Sequence, residues 1–466
     1  MLQKVTFYGF LGTILLAPLP FGSNREWSWT LLCTLIGFWL FLECLPIWKK
    51  EKDEKRTIKQ LAPLLLVFVG FCIWALFQSF PLGNSSELAH PIWTEASAIL
   101  GLELNHSISI NAQDTTRALM IMLSYGGCFW LSARFCRSSD NARIVLKAFM
   151  YASSIYAFYG LLIYFFGFKT VLWFDKWAYQ NDVTSTFINR NTYATYAALG
   201  VIVSIAVLFQ TVGSQLRGNL TQREIFRILV DNASKKAWFP FFALLLNTTA
   251  LLQTHSRGGF LSLTLALLVL VVCLAYIRLL PKKLLIGSFS VVAFGAFFAF
   301  TMSSDLTVKR LEGTSFERSL RDDVYLLTID AIESSPLLGT GYGTYQEAFR
   351  SYKNNDIRLS WNNWDKAHNT YLEMAMETGL IATIAIAFIF IFAFIVNVRG
   401  VLKRRRRQIY AVVSASSIVL VAAHALVDFS LQIPGFTVSF LLLAGMGWAQ
   451  SRTSRRRSSG ESGSSI

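Results

Sequence analysis

Hydrophobic positions in this chain come in long unbroken blocks separated by polar stretches, not in the alternation of a half-buried strand. A helix needs about 20 residues to cross a bilayer. Twelve blocks approach that length: 5–21, 27–48, 61–80, 116–134, 147–168, 191–212, 237–254, 259–279, 284–302, 379–397, 409–429 and 434–450. In lipid, only a helix satisfies every backbone polar group within one such segment. The pattern therefore predicts an all-α integral membrane protein with about 12 transmembrane helices. Pro18 and Pro20 stand where the first helix should stop, and no small-residue cleavage site follows. The first block thus reads as a span, not a removed leader.

The blocks divide the chain. Residues 1–302 carry spans one to nine with mostly short loops, 303–378 form one large outer loop, 379–450 carry the last three spans, and 451–466 form a basic tail expected to be disordered. The loop 303–378 has helical structure of its own. Thr314 and Glu317 fit a capping box, and Leu320, Val324, Leu327 and Ala331 repeat at helical spacing. Pro336 ends that helix, Gly339, Gly341 and Gly343 make a turn, and a second helical stretch runs to about Tyr352. Asn369 can cap a third helix from Thr370 toward Gly379. The loop is expected to cover the outer mouth of the bundle. Two further outer loops are 81–115 and 169–190, the second with Trp173, Phe174, Trp177 and Tyr179 at interface depth. Such aromatics anchor helix ends, or stack on sugar rings. The inner loop 213–236 fits an amphipathic surface helix with Leu220, Ile225, Ile228 and Leu229 on one side.

Composition agrees. Apolar residues make up 53% of the chain and charged ones 15%, against about 25% in soluble domains. That excludes disorder and argues against a water-soluble enzyme. The formal charge of +15 suggests a nucleic-acid binder until its placement is read. With the N-terminus inside, 29 of the 43 Lys and Arg fall on inner segments, including the runs 403–407 and 455–457. This is a topology signal facing anionic lipid, and no nucleic-acid partner is expected. Both termini are then cytoplasmic. Cys33, Cys44, Cys72, Cys128, Cys136 and Cys273 lie in spans or at their inner ends, without disulfide or zinc spacing. All five histidines map to outer loops or outer helix ends.

Candidate chemistry gathers on that outer side. Arg257, in Thr254-His255-Ser256-Arg257-Gly258-Gly259, falls where two helices turn back. A guanidinium beside lipid either pairs with an anion or snorkels to water at a helix end. Arg318, Arg321 and Tyr325 share one helical face, suited to a phosphate or merely to salt bridges with Asp322 and Asp323. That adjacent acidic pair lacks the spacing of a metal-dependent transferase, so no metal is expected. His368 precedes the Asn369 cap, where the helix dipole favours a neutral imidazole, able to act as a general base. Asn189-Arg190-Asn191 opens the sixth span, as a donor-rich corner or as its cap. His424 and Asp428, one turn apart, can simply satisfy each other. There is no nucleophile elbow, phosphate-binding loop or dinucleotide fingerprint.

Several stretches together resemble the bacterial O-antigen ligase and O-antigen polymerase superfamily. They are 186–191, Ser256-Arg257-Gly258-Gly259, Arg321 with an aromatic at Tyr325, Pro336-Leu337-Leu338-Gly339-Thr340-Gly341, Ala367-His368-Asn369 followed by Leu372-Glu373, Glu377 with Gly379, the run 423–428, and Ile433-Pro434. The resemblance spans about residues 185–445, and departs at Tyr325, where the family more often has Trp. It implies a membrane-embedded glycosyltransferase that needs no metal or other cofactor. Such an enzyme takes a glycan from undecaprenyl diphosphate at the periplasmic face of the inner membrane. A ligase passes it to a lipid A–core sugar, and a polymerase to another lipid-linked repeat, in lipopolysaccharide or exopolysaccharide assembly. It also implies that Arg257 and Arg321 hold the diphosphate and that His368 acts at the acceptor hydroxyl. Arg190, Asn191, Arg318, Tyr325 and Asn369 are supporting candidates. The rival class is a lipid-linked glycan flippase or other transporter. That class should show internal repeats, broken helices or mid-membrane ionisable residues, which this chain essentially lacks.

Overall fold

The computed structural model describes residues 2–45, 51–83, 86–213, 236–279, 315–354 and 364–452, with residues 215, 216, 221, 223, 224, 227, 228, 231 and 290; for 2, 51–57 and 315–320 the backbone alone is described. Each apolar block within these residues is helical. The helices are α1 (Leu2–Leu16), α2 (Glu26–Cys44), α3 (Glu51–Gln78), α4 (Ile92–Leu100), α5 (Ala112–Phe135), α6 (Ser139–Phe165), α7 (Arg190–Val212), α8 (Trp238–Leu252) and α9 (Arg257–Tyr276), then α10 (Ser315–Ser334), α11 (Tyr345–Phe349), α12 (Thr370–Thr378), α13 (Leu380–Lys403), α14 (Ile409–His424) and α15 (Pro434–Arg452). The described sheet is one ladder of two-residue strands, β1 (Thr170–Val171) and β2 (Phe174–Asp175). Seven described helices are long and apolar enough to cross a membrane, and α8 and α14 are shorter apolar helices. The ninth expected span, 284–302, lies outside the described residues except for Ser290, and so do the tail beyond Arg452 and Thr314 of the expected capping box. So do Leu220, Ile225 and Leu229 of the expected surface helix. Its Ile228 packs on Val212, Leu216 and Ala237.

Lipid is as apolar as a leucine side chain, so these helices associate by close packing. Helices α7, α14 and α15 form the centre, with Tyr193, Tyr196, Phe436, Phe440 and Trp448 buried. Small residues permit this: Gly445 of α15 lies against Ser132 of α5, and Gly447 against Ser414 of α14. The outermost helices are the reverse, and α13 exposes Ile381, Ile384 and Ile391. Helix ends follow the caps written in the sequence. Asn111, Ser138, Asn189, Ser256 and Asn369 each precede a helix and accept hydrogen bonds from its first-turn amides.

Helices α10, α11 and α12 share a second small core of Val324, Ala331, Tyr345, Phe349 and Met376. The glycine turn after Pro336 stitches it to the bundle. The amides of Thr340 and Gly341 donate to the carbonyls of Met376 and Glu377, and Leu380 N donates to Pro336 O. Gly339 has a φ of 70°, and a Cβ there would collide with the Glu377 carbonyl. Gln78, buried at the end of α3, donates to the carbonyls of Leu338 and Glu377 and accepts from Tyr342 N.

Two expectations shift. The outer stretch 81–115 is not all loop, because it contains α4 and is tied down by Ser109 N to Gln78 O and Ile110 N to Thr340 O. The eleventh span stops at His424 and not at 429. The amides of Val427 and Asp428 turn back onto the His424 carbonyl, and Asp428 sits in the turn beyond the helix.

Candidate functional site

Asp428 is a node just beyond the His424 end of α14. Its side chain is almost fully buried, and four segments converge on it. One oxygen lies 3.5 Å from His368 Nδ1 and 3.5 Å from Asn191 Nδ2, the other accepts from Ser430 Oγ at 3.0 Å and lies 3.9 Å from His424 Nδ1. Burial pushes this carboxyl's pKa up, but the neighbouring His368 and His424 imidazoles and the Ser430 hydroxyl hold it net below the usual range. Asp428 therefore does not serve His424 alone. His424 is the most distant of these partners and bonds to Ser430 at 3.2 Å, while Asp428 is shared with His368.

The His368 backbone is left-handed, with φ 52°. Asn369 then caps α12 by accepting from Tyr371 N and Leu372 N, as its position in the sequence predicts. Tyr325 of α10 donates its hydroxyl to the His368 carbonyl at 3.1 Å, and the imidazole stands edge-on to Phe429 and Trp364. An Nδ1–H turned toward Asp428 leaves Nε2 as the ring's acceptor. The helix dipole is therefore one influence on this ring, and the Asp428 carboxylate is another.

Arg257 is the first residue of α9, after the Ser256 cap. It opens a helix and does not cap the end of one, and a cation there faces the positive end of the dipole. A helix N-terminus with a guanidinium at its first position suits an anion. Ser256 Oγ donates to Asn191 Oδ1 at 2.8 Å, which joins this turn to the Asp428 node. Asn191 is thus a connector, and Asn189 is the cap. Arg190 pairs with Asp182 at 2.9 Å and lies over the Tyr179 ring. Asp182 also meets His255 Nδ1 at 2.7 Å. Burial raises the Tyr179 pKa, the Asp428 charge adds to it, and the Arg190 and Arg321 charges oppose it. That phenol therefore lies within electrostatic reach of Arg190, Arg321 and Asp428. Arg318 lies on α10, but its side chain falls outside the described residues. Asp322 and Asp323 gain no third metal-type ligand among the described residues.

Residues 242–387 match the family model described as O-antigen ligase. That match supports membership of the O-antigen ligase and polymerase superfamily. The matched segment contains Arg257, Arg321, His368, Glu373 and Glu377, and ends before Asp428. A protein of Haemophilus influenzae described as uncharacterized is 28% identical over 181 residues, 35% of this chain and 45% of that protein. The chain thus matches less than half of this relative's length.

Sequence reasoning underrated Asp428, Tyr179 and Asp182. An ionisable residue at the end of an apolar span is a signal in itself, and it was present at Asp428. Tyr179 was masked by its neighbours Trp173 and Trp177, which suggest anchoring. Of these, Trp173 is exposed, and Trp177 lies against Phe21 with Arg25 over its ring.

Proposed function

We propose that this protein transfers a glycan from undecaprenyl diphosphate to a sugar hydroxyl, as an O-antigen ligase or polymerase. The reaction would take place at the periplasmic face of the bacterial inner membrane. The observation that carries this reading is the His368–Asp428 contact beside the Arg257 and Arg321 segments, with Arg257 at the very start of an apolar helix. His368 Nε2 takes the proton of the acceptor hydroxyl, and that oxygen attacks the anomeric carbon. The bond from that carbon to the diphosphate oxygen breaks, and the diphosphate leaves with the electron pair. Direct displacement inverts the anomeric configuration. Asp428 holds the imidazole tautomer and faces the imidazolium that forms. Arg257 and Arg321 offset the growing charge on the leaving group. The glycosyl diphosphate supplies the driving force, so no nucleotide is needed, and the two arginines stand where a metal would otherwise stabilise the leaving group. Arg190, already paired with Asp182, positions Tyr179 and the α7 turn.

The reading includes 12 spans with both termini cytoplasmic, based on the distribution of basic residues. A reporter after Arg404 should be cytoplasmic and one near Asn354 periplasmic; both on one side would refute the topology. Surface glycan from a deletion strain tests the activity. Loss of all attached polymer indicates a ligase, and a single repeat unit on the core indicates a polymerase. An unchanged ladder contradicts the proposal.

A further inference from the structure

A cavity of about 670 Å³ lies along α12, next to the turn that carries Asp428. Its lower wall is hydrocarbon, with Leu64 and Phe68 of α3, Ile121 and Met122 of α5, and Ile389 and Phe390 of α13. Its roof is polar, with Asp114 and Arg117 from the start of α5 and Lys366, Glu373 and Glu377 around α12. Thr370 lines this cavity and donates to the Asp428 carbonyl, so the cavity borders the segment that carries Asp428.

The charge of the roof decides which lipid fits. Arg117 is held by Asp114 at 3.2 Å and Glu26 at 3.3 Å. Lys366 is held by Glu373 at 3.3 Å, and the other Glu373 oxygen accepts from Ala367 N. Both cations are thus matched by carboxylates, and Glu377, kept largely protonated at neutral pH by its burial and by Glu373, accepts from Tyr345 N and adds no charge. A diphosphate lipid with its chain here would find both roof cations already neutralised by carboxylates. Carboxylates and amide oxygens at this density instead suit the hydroxyl donors of a sugar.

We propose that this cavity is an acceptor site, taking the hydrocarbon chain of a glycolipid whose sugar hydroxyls meet the Asp114, Glu373 and Glu377 roof. The proposal rests on the transfer reading above. It separates the two substrates by charge: the anionic donor by the arginines, the hydroxyl-bearing acceptor lipid by the carboxylates along α12. Glu373 links the two, because it fixes Lys366 and Ala367 and so anchors the turn that presents His368.

The test fills the cavity. Purified protein is assayed with lipid-linked donor and with one glycan offered in two forms, on its lipid and released from it. Met122→Trp should raise the KM for the glycolipid by about tenfold, the loss of roughly 1.4 kcal/mol of binding. The KM for donor and the rate on free glycan should not change. Ile389→Trp, from the opposite wall, should reproduce this, and activity on free glycan shows that either variant is folded. A raised KM for donor would make this the donor's groove and overturn the proposal. An unchanged KM for both would leave only bulk phospholipid in the cavity, and would overturn it too. A wild type that transfers to neither acceptor would refute the transfer reading, and this inference with it.

Discussion

Helix α12 has nine residues and borders two environments of opposite character. At its start, His368 and Asp428 meet beside segments that carry Arg190, Arg257 and Arg321. Further along it, Glu373 and Glu377 roof an apolar cavity beside Asp114. The first environment suits a group that gains negative charge, the second suits neutral hydroxyls. A single short helix, capped by Asn369 and stitched by the glycine turn at 339–341, can thus hold donor and acceptor chemistry apart while presenting one imidazole between them.

The arginine side should be the more sensitive. Arg257→Ala should lower turnover by about 10²- to 10³-fold, the usual cost of one preorganised charge stabiliser. Arg257→Lys keeps the charge but loses the planar fork, and should fall between that variant and the wild type. Transfer measured with purified lipid-linked donor reads both, and an active Arg257→Ala would remove this residue from the mechanism.

Asp428→Asn should come next, at roughly 10- to 100-fold in kcat, because the orienting partner of a histidine affects turnover more than binding. Since the Asp428 pKa lies below its ordinary value of about 3.9, the carboxylate stays ionised as pH falls toward 4. Its stabilising contribution is lost only when pH falls through that lowered value. Loss of activity above about pH 4 therefore belongs to another group. The acid limb should persist in Asp428→Asn, and its disappearance would contradict this assignment. Tyr325→Phe removes one hydrogen bond to the His368 carbonyl, worth about 1 kcal/mol, and should cost about fivefold in kcat.

The carboxylate side gives the smallest effect, seen as stability. Burial and the neighbouring Glu373 push the Glu377 pKa up to about 8. The folded protein then binds a proton that the unfolded chain, at about 4.3, has released. Stability should fall as pH rises between these values and level off above the higher one. Thermal unfolding in detergent should show this slope in the wild type and a shallower one in Glu377→Gln. Equal slopes would contradict the assignment.

The spans were legible because lipid imposes one rule on every residue within them, so blocks such as 191–212 and 379–397 specify helices without tertiary information. Caps were legible for a related reason: Asn189, Ser256 and Asn369 act on amides two or three residues away. The motifs around Arg257 and His368 were legible as stretches, but their meeting was not. Asp428 is 60 residues from His368 and 237 from Asn191, and no local pattern states that they touch. Gln78 and the roof of the cavity along α12 were invisible for the same reason. A polar side chain at the end of α3 acquires its role only when the turn at 338–342 is folded against it.

The central claim is that His368 is the base, and one pH–rate comparison tests it most directly. General-base catalysis contributes about 10²- to 10⁴-fold. His368→Gln retains a hydrogen-bond donor and acceptor but cannot take the proton from the acceptor hydroxyl. With purified donor and acceptor, its turnover should fall by about that factor. The fall in rate on the acid side of the wild-type profile should vanish, while the KM for donor stays near that of the wild type. A His368→Gln enzyme with near-normal turnover and the same acid limb would contradict the base role, leaving this residue only to position the acceptor.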